Sequence, residues 1–116
     1  MKNLNKRIAV VGATGAVGRV FLELLEENFS GKKDLHLLAS KKSEGKLISC
    51  GDQQFQVKDL STFDFSSADI AFFSAGADIS GEFAPKALSQ GCTVIDNSSK
   101  FRREEDIPLI LSLIHI

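Results

Sequence analysis

Three glycines follow a short apolar run and precede a helical pattern, and this stretch carries the clearest chemical meaning in the sequence. Gly12, Gly15 and Gly18 are spaced three residues apart, directly after the β-rich run 8–11. Glycines at such a joint let a ligand approach the backbone, and a helix start presents unpaired N–H groups that suit a pyrophosphate. The spacing is the GxxGxxG variant of the dinucleotide fingerprint. The alternative is a tight strand–helix turn that binds no ligand.

A second polar turn follows the next apolar run, residues 35–39. In an NAD-binding unit, an Asp or Glu near this point bonds the ribose 2′-hydroxyl. Here Ser40 occupies that position and opens Ser40-Lys41-Lys42-Ser43, which offers cations and hydroxyls but no acid. These residues could hold a 2′-phosphate, so the pattern predicts NADP rather than NAD. The alternative is a solvated basic loop.

Two further turns follow strand-like runs. Ser74-Ala75-Gly76 ends the run 69–74, and the polar segment 96–102 follows the run 93–95. A strand, a helix and a strand in about thirty residues form a βαβ unit with parallel strands. Because the carboxyl ends of parallel strands share one edge of a sheet, we expect these turns to converge with the glycine turn at that edge.

The order of elements predicts an α/β fold with a doubly wound, mostly parallel sheet and helices on both faces. The first helix is expected to bury a stripe at i, i+3, i+4, i+7 and i+8, formed by Val17, Val20, Phe21, Leu24 and Leu25. A second helix is predicted over 80–89 with Pro85 in or near its first turn, where a missing N–H costs least. The Gly51-Asp52 turn between 47–50 and 55–57 predicts a small hairpin or a pair of edge strands.

Composition narrows the classes of function. The chain has 116 residues, of which 43% are hydrophobic, and a formal net charge of −1. This charge implies no overall electrostatic attraction to nucleic acid or to a membrane surface. It has neither a signal-peptide core nor an apolar run near the ~20 residues of a membrane span, and we expect a cytoplasmic protein. Cys50, Cys92, His36 and His115 lack the spacing of metal ligands, which predicts structural roles and no metal site.

Five segments resemble, in order, the amino-terminal domain of aspartate-semialdehyde dehydrogenase. They are VVGATGAVG at 10–18, LAS at 38–40, SxGK at 43–46, FSAG at 73–76 and VIDNSSxFR at 94–102. The last two are far more specific than the glycines. The resemblance implies a Rossmann-like NADP-binding domain.

That family reductively dephosphorylates L-aspartyl-4-phosphate to L-aspartate 4-semialdehyde with NADPH, in the biosynthesis of lysine, methionine and threonine. The resemblance implies substrate-phosphate binding by Arg102. It also implies that Ser40, Lys41 and Ser43 hold the 2′-phosphate, where the family commonly has an Arg near the position of Lys41. It implies cofactor contacts by Gly12, Thr14, Gly15, Ala16, Val17, Ser40, Lys41, Ser43, Ser74, Ala75, Gly76, Asn97 and Ser98.

The family's catalytic parts are not matched in this chain. Its nucleophile is a Cys preceded by Asn and its acid/base is a His, and neither Cys50 nor Cys92 stands in that motif. The match runs to about Leu109, where the family continues toward Pro-Glu-Val-Asn. We therefore expect an NADP-binding domain over 1–109, a truncated or non-native tail over 110–116, and no turnover by this fragment. Full-length family members are homo-oligomers, usually dimers or tetramers.

Three other functions stay open on the sequence. N-acetyl-gamma-glutamyl-phosphate reductase is a relative with the same chemistry, although segments 74–76 and 96–102 favour the aspartate enzyme. A non-catalytic NADP-binding or sensor domain would bind the cofactor without a cysteine nucleophile. An α/β domain without any ligand is the third.

Overall fold

A computed structural model describes residues 2–3, 6–30 and 33–96 of the chain. Within these residues the elements are β1 (Lys2–Asn3), β2 (Ile8–Val11), α1 (Ala16–Asn28), β3 (Phe29–Ser30), β4 (Leu35–Ala39), β5 (Leu47–Cys50), β6 (Gln53–Gln56), β7 (Lys58–Asp59), β8 (Ile70–Phe73), α2 (Ala77–Ser89) and β9 (Thr93–Asp96). Short 3₁₀ turns cover Lys41–Ser43, Leu60–Thr62 and Phe65–Ser67.

Five strands form one parallel sheet in the order β7-β4-β2-β8-β9. The central strand β2 pairs on both sides, with Ile8 opposite Leu35 in β4 and opposite Ile70 in β8. Helix α1 connects β2 to β4, and α2 connects β8 to β9. The predicted doubly wound parallel fold is confirmed, and all five carboxyl ends lie at one edge.

The two faces of the sheet are covered by different helices. Side chains on one face, including Val10 and Phe72, pack in a cluster with α1, whose Phe21 ring stacks on Phe72 at a centroid distance of 3.9 Å. Side chains on the opposite face, including Val11 and Phe73, pack in a second cluster with α2. This alternation follows from the two-residue period of a strand and confirms helices on both faces.

The buried stripe of α1 is displaced by one residue from the predicted one. Val17 and Val20 are each 42% exposed, whereas Phe21, Leu22 and Leu25 are buried. The reason is Gly18, which packs so closely on the backbone at Gly12 that a methyl group there would overlap its carbonyl oxygen. The stripe therefore runs i, i+3, i+4 and i+7 from the glycine, which a count of apolar side chains does not register.

Helix α2 begins at Ala77, three residues earlier than predicted, and Pro85 lies in its interior rather than near its first turn. The Ser80 amide already donates to the Gly76 carbonyl at 3.0 Å, which sets this early start. A proline deprives the carbonyl four residues earlier, here that of Gly81, of its helical donor. Both residues are exposed, so water can bond that carbonyl and the helix continues.

The predicted hairpin is confirmed, because β5 and β6 pair antiparallel across a turn in which Gly51 has a φ of +63°. The short strand after this hairpin was not expected from the sequence. Lys58–Asp59 forms this strand, β7, which begins two residues after β6 and joins the parallel sheet beside β4. Within the described ranges, no helix is both long enough and apolar enough to cross a membrane.

Candidate functional site

The glycine turn between β2 and α1 is shaped by contacts that only glycine permits. Gly12 has a φ of +90°, and its amide donates to the Leu38 carbonyl at 2.8 Å. A methyl group at Gly12 would lie 3.0 Å from the backbone and side chain of Ala75. The glycine turn is therefore in direct contact with the turn after β8, as the predicted convergence requires.

Gly15 differs from Gly12 and Gly18 because neither close backbone packing nor a positive φ requires a glycine at this position. Its amide donates to the Gly12 carbonyl at 3.0 Å, its φ is an ordinary −81°, and it is exposed. Among the described residues, a methyl group there would meet only the Gly12 carbonyl oxygen, at 3.5 Å. The space beside Gly15 is open, which suits close approach by a ligand.

The start of α1 is electrostatically suited to an anion. Gly15 is the N-cap residue, so in the described part of the chain no side chain caps this helix, and its first turn contains no acid. Thr14 is half-buried, and Ala16 and Val17 are exposed beside it. The described residues thus leave the first backbone N–H groups and the positive end of the helix dipole without a side-chain cap, and this arrangement fits a pyrophosphate.

The turn after β8 is tied to the end of β2. The Ser74 amide and hydroxyl both donate to the Val11 carbonyl, at 2.9 Å and 3.0 Å. Gly76 follows with a φ of +109°, which a side chain rarely adopts, and α2 starts directly after it. The Ser74 hydroxyl is therefore engaged in holding the two turns together at the carboxyl edge of the sheet.

The turn after β4 lies next to the glycine turn, since the Leu38 carbonyl that accepts the Gly12 amide is two residues before Ser40. Residues Lys41–Ser43 form a 3₁₀ turn in which the Ser43 amide donates to the Ser40 carbonyl at 2.9 Å. Ser40 and Lys41 are exposed, and Ser43 is half-exposed. All three are available at the predicted position of a 2′-phosphate.

The fold also brings an acid to this turn, which the sequence analysis missed. Asp59 ends β7 and is the register partner of Ala39, the residue before Ser40. Its Oδ1 accepts the Ser61 amide at 2.9 Å and the Ser61 hydroxyl at 2.8 Å. These two hydrogen bonds lower the pKa of Asp59, and the charge of Lys41 acts in the same direction. The only sequence signal is an Asp-x-Ser cap.

Three predicted site residues lie outside the described residues. These are Asn97, Ser98 and Arg102, which come after β9 in the sequence. Their roles stay predictions, as does the interpretation of 110–116 as a tail.

The two cysteines are buried and free, as predicted. The Cys50 thiol contacts the Leu22 carbonyl at 3.5 Å, and the Cys92 thiol contacts the Phe65 carbonyl at 3.0 Å. Burial raises the pKa of both thiols, so neither is prepared to act as a nucleophile. Among the residues that the structure describes, no three His, Cys, Asp or Glu side chains are grouped to hold a metal ion.

His36 has a structural setting at the other end of the sheet. Its Nε2 lies 3.1 Å from Asp34 Oδ1, and its ring packs against that of Phe63 with 5.3 Å between the ring centroids. Burial lowers the pKa of His36 against the opposing effect of Asp34.

A family model agrees with this geometry. Residues 7–115 match the model described as "Semialdehyde dehydrogenase, NAD binding domain". The chain belongs to this family. The domain of this family is a nucleotide-binding domain, which agrees with the glycine turn at the start of α1.

Relatives and solved structures point the same way. The chain is 54% identical over 104 residues to aspartate-semialdehyde dehydrogenase of Legionella pneumophila and 47% identical over 106 residues to that of Aquifex aeolicus, covering 90% of this chain each time. A crystal structure of aspartate semialdehyde dehydrogenase II from Vibrio cholerae, complexed with ASA, is similar with a TM-score of 0.76 and 44% identity, over 87% of this chain and 33% of that one. The chain spans about 30% of the length of the two relatives.

Proposed function

We propose that this chain is the NADP-binding domain of an aspartate-semialdehyde dehydrogenase. The observation that carries the proposal is the contact of three turns at the carboxyl edge of the sheet. Gly12 packs against Ala75 and bonds the carbonyl of Leu38, two residues before Ser40. Similarity to enzymes of that name over 90% of the chain supports the same assignment.

The glycine turn is proposed to bind the cofactor's pyrophosphate. The uncapped amides at the start of α1 would donate to phosphate oxygens. The turn at Gly12, Thr14 and Gly15 would contact the phosphates through its shape, since the Gly12 and Gly15 amides are bonded within the chain. Ala16 and Val17 continue this surface. Ser74, Ala75 and Gly76 would border the ribose and nicotinamide, with Asn97 and Ser98 beside them.

The turn after β4 is proposed to select NADP. Lys41 supplies an exposed cation, and Ser40 and Ser43 supply hydroxyl groups. A unit charge ~4 Å from a phosphate oxygen is worth about 1 kcal/mol in water and several times more near a protein surface. A 2′-hydroxyl gains no such attraction, so the expected preference is for NADPH over NADH.

In the complete enzyme the proposed reaction is the reductive dephosphorylation of L-aspartyl-4-phosphate, to which bound NADPH supplies a hydride. This chain's share is to bind and orient the cofactor, and Arg102 is proposed to hold the substrate's phosphate with its planar, bidentate guanidinium. The Cys and His of the reaction are proposed to stand outside this chain. A cytoplasmic location and homo-oligomeric assembly belong to the same proposal.

The test is a fluorescence titration of the purified chain with NADPH and with NADH. Wild type is expected to bind NADPH more tightly, and Lys41→Ala should weaken NADPH about fivefold, which is the loss of ~1 kcal/mol, while leaving NADH unchanged. Lys86→Ala, which removes an exposed lysine near the carboxyl end of α2, is the matched control. Failure of wild type to bind either cofactor, or equal weakening of both by Lys41→Ala, would contradict the proposal.

A further inference from the structure

We propose that Asp59 is a specificity-determining residue that limits the preference for a 2′-phosphorylated cofactor over one with a free 2′-hydroxyl. The inference rests on the proposed function, because it concerns the same cofactor site. It adds Asp59 to the proposed cofactor site. Asp59 lies in a different strand, β7, and follows Lys41 by eighteen positions in the sequence.

The position of Asp59 follows from the pairing of β7 with β4. Leu38 is opposite Lys58 and Ala39 is opposite Asp59, so Asp59 ends the edge strand level with the last residue of β4. Ser40 follows Ala39 and stands where NAD-binding folds carry an acid for the ribose 2′-hydroxyl. The fold therefore supplies a carboxylate beside that position from the neighbouring strand.

The carboxylate of Asp59 is held in place. Both donors of Ser61 bond Oδ1, the amide at 2.9 Å and the hydroxyl at 2.8 Å, and the Thr62 hydroxyl bonds the Asp59 carbonyl at 3.3 Å. Oδ2 accepts no hydrogen bond from the described residues. Hydrogen bonds to Oδ1 thus fix the side chain, and within the described ranges Oδ2 can accept a hydrogen bond from a hydroxyl group.

The charge of Asp59 acts on the same space as the charge of Lys41. Strand β7, which ends at Asp59, packs against the 3₁₀ turn Lys41–Ser43, so the two charges lie on neighbouring segments. The hydrogen bonds from Ser61 lower the pKa of Asp59, and the charge of Lys41 adds a smaller effect in the same direction. A 2′-phosphate dianion at this turn would be attracted by Lys41 and repelled by Asp59. A 2′-hydroxyl would meet no repulsion and could donate a hydrogen bond to Oδ2 of Asp59. The carboxylate therefore reduces the difference in affinity between NADPH and NADH.

The chain contains a second turn built in the same way, and it serves as a control. Asp64 Oδ1 accepts the Ser66 amide at 3.0 Å and the Ser66 hydroxyl at 2.7 Å. That turn leads into the amino end of β8, at the opposite edge of the sheet from the proposed cofactor site. Replacing Asp64 disturbs an equivalent cap without removing a charge near the cofactor.

The experiment compares the dissociation constants of NADPH and NADH for wild type, Asp59→Asn and Asp64→Asn in low salt. Asp59→Asn should raise the ratio of the NADH constant to the NADPH constant about fivefold, as expected for removing one charge ~8 Å from a dianion in water. The rise should shrink at about 0.3 M salt because added ions screen exposed charges. Asp64→Asn should leave the ratio unchanged.

The outcomes separate this inference from the proposed function. If wild type binds both cofactors and Asp59→Asn leaves their ratio unchanged, or changes both constants equally, the inference is wrong and the proposed function stands. If wild type binds neither, the proposed function fails and the inference fails with it. Asp59→Ser, which keeps a capping oxygen without charge, repeats the measurement should the Asn variant fold poorly.

Discussion

The two edges of the parallel sheet satisfy their polar groups in opposite ways. At the amino edge, the Arg7 amide, Nε and Nη2 all donate to the Asp69 carboxylate at 2.8–3.2 Å, and the Asp69 carbonyl accepts the Thr93 amide at 2.9 Å. At the carboxyl edge, by contrast, the helix amides beyond Gly15 have no side-chain cap in the described chain, and Lys41 extends into solvent.

The difference separates groups that stabilise the fold from groups that are free to bind. Arg7 and Asp69 at the amino edge are paired with each other, so a ligand could bind them only by displacing existing bonds. Lys41 and the uncapped amides of α1 at the carboxyl edge keep their capacity for an external partner, while close backbone contacts such as Gly12 against Ala75 hold the turns in place. Substitutions at the two edges should therefore change stability and cofactor affinity in different proportions.

The largest effect is expected from Gly18→Ala, a substitution at the carboxyl edge that should lower stability rather than affect binding groups alone. The new methyl group would overlap the Gly12 carbonyl oxygen and lie 3.0 Å from the Ala13 Cα, both of them backbone atoms that cannot move independently. We expect a loss of about 2–3 kcal/mol in the free energy of unfolding, typical of overpacking, measured by urea denaturation. A variant as stable as wild type would show that α1 does not need this close approach.

Gly15→Ala is the matched substitution in the same motif, and we expect it to change binding rather than stability. In the part of the chain that the structure describes, the methyl group would meet a single atom, the Gly12 carbonyl oxygen at 3.5 Å, and Gly15 already has dihedral angles that alanine adopts. The free energy of unfolding should stay within about 1 kcal/mol of wild type. NADPH affinity should fall about tenfold, or ~1.4 kcal/mol, because the methyl group occupies the open face of the turn.

The pair is informative only when both quantities are measured on both variants. Loss of stability by Gly15→Ala, or unchanged NADPH affinity in a folded Gly15→Ala protein, would show that the open space at Gly15 is not where the phosphates bind.

The central strands could be predicted from the sequence because they are buried on both faces and read as unbroken apolar runs. β2 and β8 are of this kind, and every one of their residues is buried. β7 could not be predicted in this way, because its two residues, Lys58 and Asp59, are polar and joined to the sheet only by backbone pairing at an edge. Local composition carries no signal for such a strand.

The sequence predictions for α1 and α2 were wrong in detail, and each error has a local structural cause. The buried stripe of α1 is set by Gly18, whose contribution is the absence of a side chain, so a hydrophobic count starts one residue early. In α2, Gly81 and Pro85 are exposed, so water can bond the Gly81 carbonyl and the helix continues through the proline. The sequence prediction placed Pro85 near the first turn because a proline in a helix interior removes a hydrogen bond. The convergence of the turns after β2, β4 and β8 was predictable because each turn is contiguous in the sequence, whereas Asp59 reaches the proposed site only through long-range strand pairing.

The smallest effect is expected at the amino edge, in the acid dependence of stability. The Arg7 side chain, followed by its amide, donates to Asp69 and holds the pKa of that carboxyl below its ordinary value. A carboxyl with a depressed folded-state pKa stabilises the fold above its unfolded pKa of about 3.9, and this contribution is lost as the pH falls through the folded value. Wild type should therefore lose stability toward urea more steeply below about pH 4 than Asp69→Asn, and Arg7→Ala should also flatten the dependence. NADPH affinity at neutral pH should be the same in all three proteins, since this pair lies at the edge opposite the cofactor; a change there would remove the distinction between the two edges.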